Sequence, residues 1–246
     1  MDLIEFRYSD FNLLCPRKYL IHLRETFILD AYQSHLLKSN DVVLDLGSTT
    51  GDFCILASRK VGPTGKVIAI EPNPTDYEIL QENIVRNKCS NVTSLNIGAA
   101  GKRGRQVLDF RGTTFTFKTD TLDNIVKSLT NVRNIDFIKM DIEGYEYDVV
   151  KSSIDIFRKA RVVSMEFHGT KQKIDDLLLP IGFTYHPVTV PLLFKRLAAN
   201  IFSHPIHFVK SSFSIIKDNP KLIYSIPLGY EPSKNSQAAF TGYYTK

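Results

Sequence analysis

The fold of this chain is decided by one stretch, Val42-Val43-Leu44-Asp45-Leu46-Gly47-Ser48-Thr49-Thr50-Gly51-Asp52-Phe53. Its first five residues are mostly β-branched or apolar, which is typical of a strand that is buried on both faces. The small residues 47–51 predict a tight turn, because glycine accepts backbone conformations that other residues avoid. A helix is predicted from there to about residue 60, so the stretch encodes a strand, a turn and a helix.

The alternation of strands and helices continues towards the C-terminus. Further strands are predicted at residues 66–70, 92–97, 135–140, 161–167, 183–186 and 238–244. Helices are predicted at about residues 75–88, 121–129, 145–152 and 171–179, and a hairpin at 105–118. This spacing predicts an α/β fold with a doubly wound, seven-stranded, mostly parallel sheet. Such sheets bind ligands at the carboxyl ends of their strands.

The length of 246 residues suits a single domain. We predict an N-terminal helical region at residues 1–39, because large apolar residues recur with helical spacing between residues 10 and 38. A cofactor-binding core follows at 40–186, then an insertion between the last two strands at 187–237, and a final strand at 238–246.

Composition excludes several classes of protein. Apolar residues make up 43% and charged residues 23%, so global disorder is excluded. The net charge of +5 permits an anionic partner, but without a run of basic residues we expect no DNA binding and no RNA binding. Three scattered cysteines support neither a disulfide framework nor a zinc ribbon. Without a visible signal peptide or membrane span, we expect a cytoplasmic protein.

The turn after the first strand and the acid after the second predict a nucleoside-containing cofactor. Glu71 lies 20 residues beyond Gly51, where an acid can accept both hydroxyls of a ribose. Thr49 replaces the glycine that a dinucleotide requires at the middle of its motif. The Asp45 carboxylate would repel a pyrophosphate and attract an ammonium group. The residues therefore favour S-adenosylmethionine over NAD, and the alternative is a tight turn without a cofactor.

Candidate catalytic residues end two later strands. Asp141 and Glu143 close the fourth strand, and Glu166 and His168 close the fifth. Alternation along a strand places positions i and i+2 on one face, so each pair could present an acid or a base to an acceptor hydroxyl. The alternatives are helix capping for the acids and an ordinary loop position for the histidine. Asp141, Glu166 and His168 could also hold a divalent metal, but we expect none.

The chain resembles the FkbM family of class I S-adenosylmethionine-dependent methyltransferases over about residues 40–186. The resemblance rests on residues 43–53 and 65–74, on Thr121-Leu122-Asp123, and on residues 135–146, which include Asp-Ile-Glu-Gly-Tyr-Glu. It implies a Rossmann-like fold and S-adenosylmethionine as cofactor. The candidate cofactor-binding residues are Asp45, Gly47, Ser48, Gly51, Asp52, Phe53, Glu71, Pro72, Asn73, Gly98 and Ala99.

The resemblance also implies which part of the cofactor some of these candidate residues would contact. The aspartate and glycines of the turn would line the methionine end, Glu71 would hold the ribose, and Gly98 with Ala99 would flank the adenine. An acid and a histidine commonly end the fifth strand in this family, as Glu166 and His168 do here. The triplet Ser48-Thr49-Thr50 departs from the usual family pattern and puts contacts to the methionine end in doubt.

The insertion at 187–237 is apolar and basic, with five basic residues against one acid between residues 190 and 226. Three interpretations stay open: a helical lid or homodimer contact, a lid over a lipid-linked substrate, and a peripheral membrane contact.

The sequence predicts a methyltransferase that acts on a hydroxyl of a small metabolite, a sugar or a glycolipid. The absence of Asn-Pro-Pro-Tyr or Asp-Pro-Pro-Tyr after the fourth strand weakens an amine acceptor. The alternatives are an RNA methyltransferase and a catalytically silent scaffold of the same fold.

Overall fold

The computed structural model describes residues 2–110, 113–130, 132, 134–203 and 240–246. Its strands are β1 (Leu3–Tyr8), β2 (Phe11–Pro16), β3 (Val42–Leu46), β4 (Lys66–Ile70), β5 (Val92–Leu95), β6 (Gly98–Ala99), β7 (Gly104–Phe110), β8 (Thr113–Asp120), β9 (Phe137–Met140), β10 (Val162–Phe167), β11 (Thr184–Pro187) and β12 (Phe240–Thr245). Its α-helices are α1 (Leu20–Leu23), α2 (Asp52–Val61), α3 (Pro74–Arg86), α4 (Leu122–Lys127), α5 (Glu146–Ser152), α6 (Ile154–Lys159), α7 (Lys171–Leu178) and α8 (Val190–Ser203).

Seven strands form one sheet in the order β11-β12-β10-β9-β3-β4-β5. Within it β12 runs antiparallel to both of its neighbours, and the other pairings are parallel. The prediction of a seven-stranded, mostly parallel sheet is therefore confirmed. The chain builds outward from β3 to β5 and then crosses back to β9, so the strand order reverses between β3 and β9. Ligands of open α/β sheets bind at such a reversal, beyond the carboxyl ends of the strands.

The sheet is buried on both faces because successive residues of its central strands enter two different cores. Val43 of β3 packs with Val67 and Phe137 in one core, while Leu44 packs with Ile68 in the other. This alternation explains why the central strands contain almost continuous apolar residues.

A smaller sheet of order β6-β8-β7 lies beside the main sheet. Its β7–β8 pair is the hairpin predicted at residues 105–118. The predicted Arg111-Gly112 turn lies outside the described residues.

The predicted helical region at residues 1–39 is helical only in part, because residues 3–16 form the β1–β2 hairpin. Phe11, Leu13 and Cys15 are buried at every second position, and this period of two belongs to a strand. Helical turns follow at Arg17–Tyr19, α1, Arg24–Ile28 and Ser34–Leu36. The hairpin is tied to α3, since the Asn83 and Asn87 side chains accept hydrogen bonds from backbone N–H groups of β2.

The predicted insertion begins with α8, and residues 204–239 lie outside the described residues. Leu193 and Leu197 of α8 pack against the core beside the N-terminal segment. The Arg196 guanidinium donates a hydrogen bond of 2.6 Å to the Asp30 carbonyl. Among the described helices, none is long and apolar enough to cross a membrane. The roles predicted for the insertion stay predictions.

Candidate active site

The turn after β3 is held in a conformation that its glycines allow. Gly47 has φ +77°, and a Cβ there would lie 1.8 Å from the Asp141 carbonyl oxygen. Gly51 has φ +94°, and a Cβ there would lie 2.6 Å from the Leu80 side chain. Any side chain at Gly47 would therefore push the turn away from the end of β9. This close approach places the turn next to the predicted catalytic residues.

Glu71 lies at the carboxyl end of β4, with both carboxylate oxygens directed at backbone donors. Thr49 N donates to Oε2 at 2.7 Å, and Asn73 N donates to Oε1 at 2.8 Å. Burial raises the pKa of Glu71 to about 8, although these two N–H groups favour the charged form. Because each oxygen keeps a second lone pair, the carboxylate is oriented to accept two further hydrogen bonds.

A cavity opens along these carboxyl ends, and together with the open solvent at its mouth it occupies about 700 Å³. Eight predicted site residues line it: Gly47, Glu71, Pro72, Asn73, Gly98, Ala99, Asp141 and Glu143. Sequence reasoning missed further lining residues: His22, Thr49, Ile70, Asp76, Leu108, Phe115, Phe117, Ile142 and Tyr145. The hairpin was predicted as an element, but nothing in its sequence showed that it would cover a cavity.

One wall of the cavity is apolar and flat. A Cβ at Gly98 would lie 2.5 Å from the Phe117 ring, so the absence of a side chain there leaves room for that ring. Phe115 and Leu108 of the hairpin extend the same wall, and Ile142 also lines the cavity. Such surfaces suit a planar aromatic ligand.

Five predicted cofactor-binding residues do not line the cavity. Gly51 is packed against Leu80, and the other four are buried. Asp45 is fully buried, and its Oδ1 lies 3.3 Å from Lys139 Nζ. Ser48 Oγ donates to the Asp45 carbonyl at 3.0 Å. The Asp52 carboxylate accepts a hydrogen bond from the Thr26 hydroxyl, and the Phe53 ring stacks on Phe137.

These four residues support the turn because they fill the space beneath it. Lys139 Nζ also donates to the Gly47 carbonyl at 2.6 Å, which ties the turn to β9. Burial raises the pKa of Asp45, and the ion pair with Lys139 opposes this effect by favouring the charged carboxylate. Direct lining of the cavity by Asp45, Ser48, Asp52 and Phe53, as predicted, is not what the structure shows.

Two of the predicted catalytic residues, Asp141 and Glu143, line the cavity, and His168 lies close to both of them. His168 Nε2 lies 3.5 Å from Glu143 Oε2 and 4.0 Å from Asp141 Oδ1. Glu143 is exposed, whereas His168 is mostly buried. The carboxyl ends of β9 and β10 are adjacent in the sheet, and this adjacency brings together side chains that are distant in sequence.

A fifth residue, Glu146, orients His168. Its Oε1 lies 2.8 Å from His168 Nδ1 and accepts a hydrogen bond from Gly144 N, and its Oε2 accepts one from the Thr170 hydroxyl. Burial lowers the pKa of His168, but the Glu146 hydrogen bond and the nearby carboxylates outweigh this effect and raise it to about 9. Glu146 ends the Asp-Ile-Glu-Gly-Tyr-Glu stretch, so the sequence contained a signal that we did not use.

Tyr32 and Glu166 lie next to Asp141 but are not among the residues that line the cavity. The Tyr32 hydroxyl donates to Asp141 Oδ2 at 2.9 Å and lies 3.4 Å from Glu166 Oε2. Burial and the Asp141 carboxylate raise the pKa of Glu166 to about 7. Sequence reasoning treated Tyr32 only as an apolar residue of the N-terminal region, and its tertiary contact left no local signal.

Comparisons with known proteins agree with this architecture. A model of the methyltransferase FkbM domain matches residues 45–185. The chain is 24% identical to methyltransferase sdnD of Sordaria araneosa over 208 residues, which are 65% of this chain and 80% of that protein. It is 29% identical to hexuronic acid methyltransferase AglP of Haloferax volcanii over 144 residues, which are 54% of this chain and 58% of that protein.

Among solved structures, a SAM-dependent methyltransferase from Aquifex aeolicus aligns with a TM-score of 0.45 and 15% identity, covering 71% of this chain and 92% of that one. The family model spans more than half of the chain, and it contains strands β4, β5, β9 and β10 in full. This chain therefore belongs to the FkbM family of methyltransferases.

Proposed function

We propose that this chain transfers a methyl group from S-adenosylmethionine to a hydroxyl oxygen of a small polyhydroxylated acceptor, such as a sugar or a glycolipid. One observation carries the proposal. A single cavity is lined by Glu71, a buried carboxyl group oriented by backbone donors, and by Asp141 and Glu143, with His168 close to these two acids. The first feature suits a nucleoside, and the second suits proton removal from a hydroxyl.

The residues present fit S-adenosylmethionine. Glu71 would accept the two ribose hydroxyls, because its oxygens are already oriented by the N–H groups of Thr49 and Asn73. The Gly98 and Phe117 wall would take the adenine. When bound, the cofactor supplies an electrophilic methyl group on a sulfonium.

We assign Glu166 as the general base because the Tyr32 hydroxyl lies between it and Asp141, which lines the cavity. A base works best when its pKa lies near the working pH, and burial together with Asp141 places the pKa of Glu166 at about 7. His168 with a pKa of about 9 is protonated at neutral pH. In the proposed reaction the acceptor O–H bond breaks and its proton passes to Glu166. The acceptor oxygen forms a bond to the methyl carbon as the bond from that carbon to sulfur breaks, and S-adenosylhomocysteine would leave as the neutral thioether.

The acceptor class follows from the polar lining at the Asp141 end. Carboxylates accept hydrogen bonds from several hydroxyls at once, and hydroxyl-rich molecules supply such donors. The relative from Haloferax volcanii is named for a hexuronic acid, which is itself polyhydroxylated.

The test uses S-adenosylmethionine with a radiolabelled methyl group and a panel of hexoses, hexuronic acids and glycolipids, with bulk RNA as a further arm. We expect label in a hydroxylated small molecule and none in RNA. Label in RNA alone would favour an RNA methyltransferase. Binding of S-adenosylhomocysteine without any transfer would favour the silent scaffold.

The Glu166→Gln variant tests the assignment of the base. We expect kcat to fall by roughly 100-fold or more, while affinity for S-adenosylhomocysteine stays unchanged. The control is Glu78→Gln, which removes the same charge from an exposed position on α3. If kcat of Glu166→Gln matches that of the control, Glu166 is not the base.

A further inference from the structure

Three side chains at the Asp141 end of the cavity are arranged as ligands of a cation. Asp141 Oδ1, Glu143 Oε2 and a ring nitrogen of His168 each offer one ligand atom, and these atoms lie within 4.8 Å of one another. We propose that Asp141, Glu143 and His168 bind one divalent cation of the Mg²⁺ or Mn²⁺ type. The cation itself is independent of the proposed methyl transfer, but its role in holding the acceptor rests on that function.

The distances fit an octahedral ion with only small movements. With metal–ligand bonds of about 2.1 Å, neighbouring ligands lie about 3 Å apart and opposite ones about 4.2 Å apart. The His168 Nε2 distances of 3.5 Å to Glu143 and 4.0 Å to Asp141 fall between these two limits. Two carboxylates with one imidazole favour Mg²⁺ or Mn²⁺ over softer metals, which prefer thiolate ligands.

The surroundings of His168 provide a second line of support. Histidines that ligate metals usually hydrogen-bond to a carboxylate through the other ring nitrogen, and this bond fixes the ring. Here Nδ1 is held by the fully buried Glu146 at 2.8 Å, and Glu146 is itself fixed by Gly144 N and the Thr170 hydroxyl. Nε2 is thereby directed at the two carboxylates, and a bound cation would take the place of the proton that Nε2 carries in the metal-free protein.

The ligand set differs from the one considered from the sequence, and the expectation that no metal is bound is revised by this proposal. The sequence suggested Asp141, Glu166 and His168 as ligands. In the structure the group of possible ligands contains Glu143 and not Glu166, whose Oε2 lies 3.4 Å from the Tyr32 hydroxyl. Glu143 enters the group because its backbone has φ +53°, which turns the chain back towards His168.

Such a cation would define the acceptor more closely. Three protein ligands leave three positions of an octahedron open, and Asp141 and Glu143 line the cavity. Two adjacent oxygens of the acceptor, as in a vicinal diol or a hydroxy acid, could fill two of these positions. A cation would also allow an acidic sugar to approach a group of carboxylates that otherwise repels it.

The test measures Mn²⁺ binding directly, in protein treated with EDTA and then dialysed, with neither cofactor nor acceptor present. Bound Mn²⁺ loses the six-line electron paramagnetic resonance signal of the free ion, so a titration gives the affinity and the number of sites. We expect one site per chain and displacement by Mg²⁺. The Glu143→Gln variant should bind at least about tenfold more weakly, and Glu78→Gln should match the unmodified protein.

Glu143 is exposed, so its substitution should leave folding intact. The Glu146→Gln variant is a second test, with an expected loss of roughly 10- to 100-fold in affinity from an outer-sphere change. Absence of Mn²⁺ binding up to millimolar concentration, or equal affinities for Glu143→Gln and Glu78→Gln, would overturn the proposal. Calorimetry with S-adenosylhomocysteine on the same samples separates the two proposals, because cofactor binding without Mn²⁺ binding refutes only the cation site.

Discussion

The ribose contact at Glu71 is the part of the proposed cofactor site that one substitution tests most sharply. In Glu71→Gln one carboxylate oxygen becomes an amide nitrogen of nearly the same size. Both oxygens now accept hydrogen bonds from backbone donors, Thr49 N at 2.7 Å and Asn73 N at 2.8 Å. The new NH₂ group must therefore face one of these N–H groups, and it cannot accept a hydrogen bond from a ribose hydroxyl.

The magnitude follows from the hydrogen bonds that are lost. A hydrogen bond to a charged group contributes about 1.5–3 kcal/mol, and Glu71→Gln removes one such acceptor towards the ribose. The dissociation constant for S-adenosylhomocysteine should rise roughly 10- to 150-fold. Burial raises the pKa of Glu71 to about 8, so the full effect is expected at pH 9. At pH 6.5 the carboxyl of the free protein is itself protonated, and the difference between the two proteins should shrink.

The assay is isothermal titration calorimetry with S-adenosylhomocysteine at both pH values. Glu78→Gln removes an equal charge from the exposed face of α3 and should bind like the unmodified protein. Unfolding temperatures without ligand would check that Glu71→Gln remains folded. If Glu71→Gln binds within twofold of the unmodified protein at both pH values, Glu71 does not hold the ribose and the proposed cofactor orientation is wrong.

Two further predictions concern stability. Burial, with Glu166 nearby, raises the pKa of Glu25 from 4.5 to about 8. Between these two pH values the folded state holds a proton that the unfolded chain releases. The free energy of unfolding should therefore fall by up to about 1.4 kcal/mol for each unit of rising pH in this range. Glu25→Gln should remove this contribution to the pH dependence. The measurement is urea unfolding of both proteins at several pH values, and an equal pH dependence of their unfolding free energies would contradict the prediction. Lys139→Met leaves the Asp45 carboxylate buried without its ion pair and should lower the free energy of unfolding by about 3–5 kcal/mol. The unfolding temperature should then drop by roughly 10 °C or more. Combining Lys139→Met with Asp45→Asn should recover most of this loss, and no recovery would contradict the pairing.

The central sheet could be predicted because its signals are local. The central parallel strands β3, β4, β9 and β10 are short, mainly apolar runs, and burial on both faces requires such runs. The proposed cofactor site was also predictable in part. The glycines of the turn follow β3 and Glu71 follows β4, and the carboxyl ends of adjacent parallel strands lie side by side. The structure places Gly47 and Glu71 on the same cavity, as that reasoning expects.

The N-terminal region was mispredicted because its signals conflict. Phe27 belongs to a helical pattern that is real for residues 17–28. Phe11 and Leu13 fit the same apolar spacing loosely, but they alternate between buried and partly exposed neighbours as a strand does. The deciding interaction is tertiary, since α3 supplies Asn83 to bond the backbone of β2.

Asp45 is a residue whose charge could be read from the sequence but whose partner could not. Its position in the motif suggested an ammonium partner, and the structure supplies one from inside the protein. In the parallel pairing of β3 with β9, Asp45 lies directly opposite Lys139, which is the single charged residue among Phe137–Met140. Two mid-strand charges of opposite sign within apolar strands are a signal in themselves, because neither can be buried alone. That pairing holds β3 and β9 in register at the point where the strand order reverses, so the same ion pair fixes both the fold and the position of the Gly47 turn.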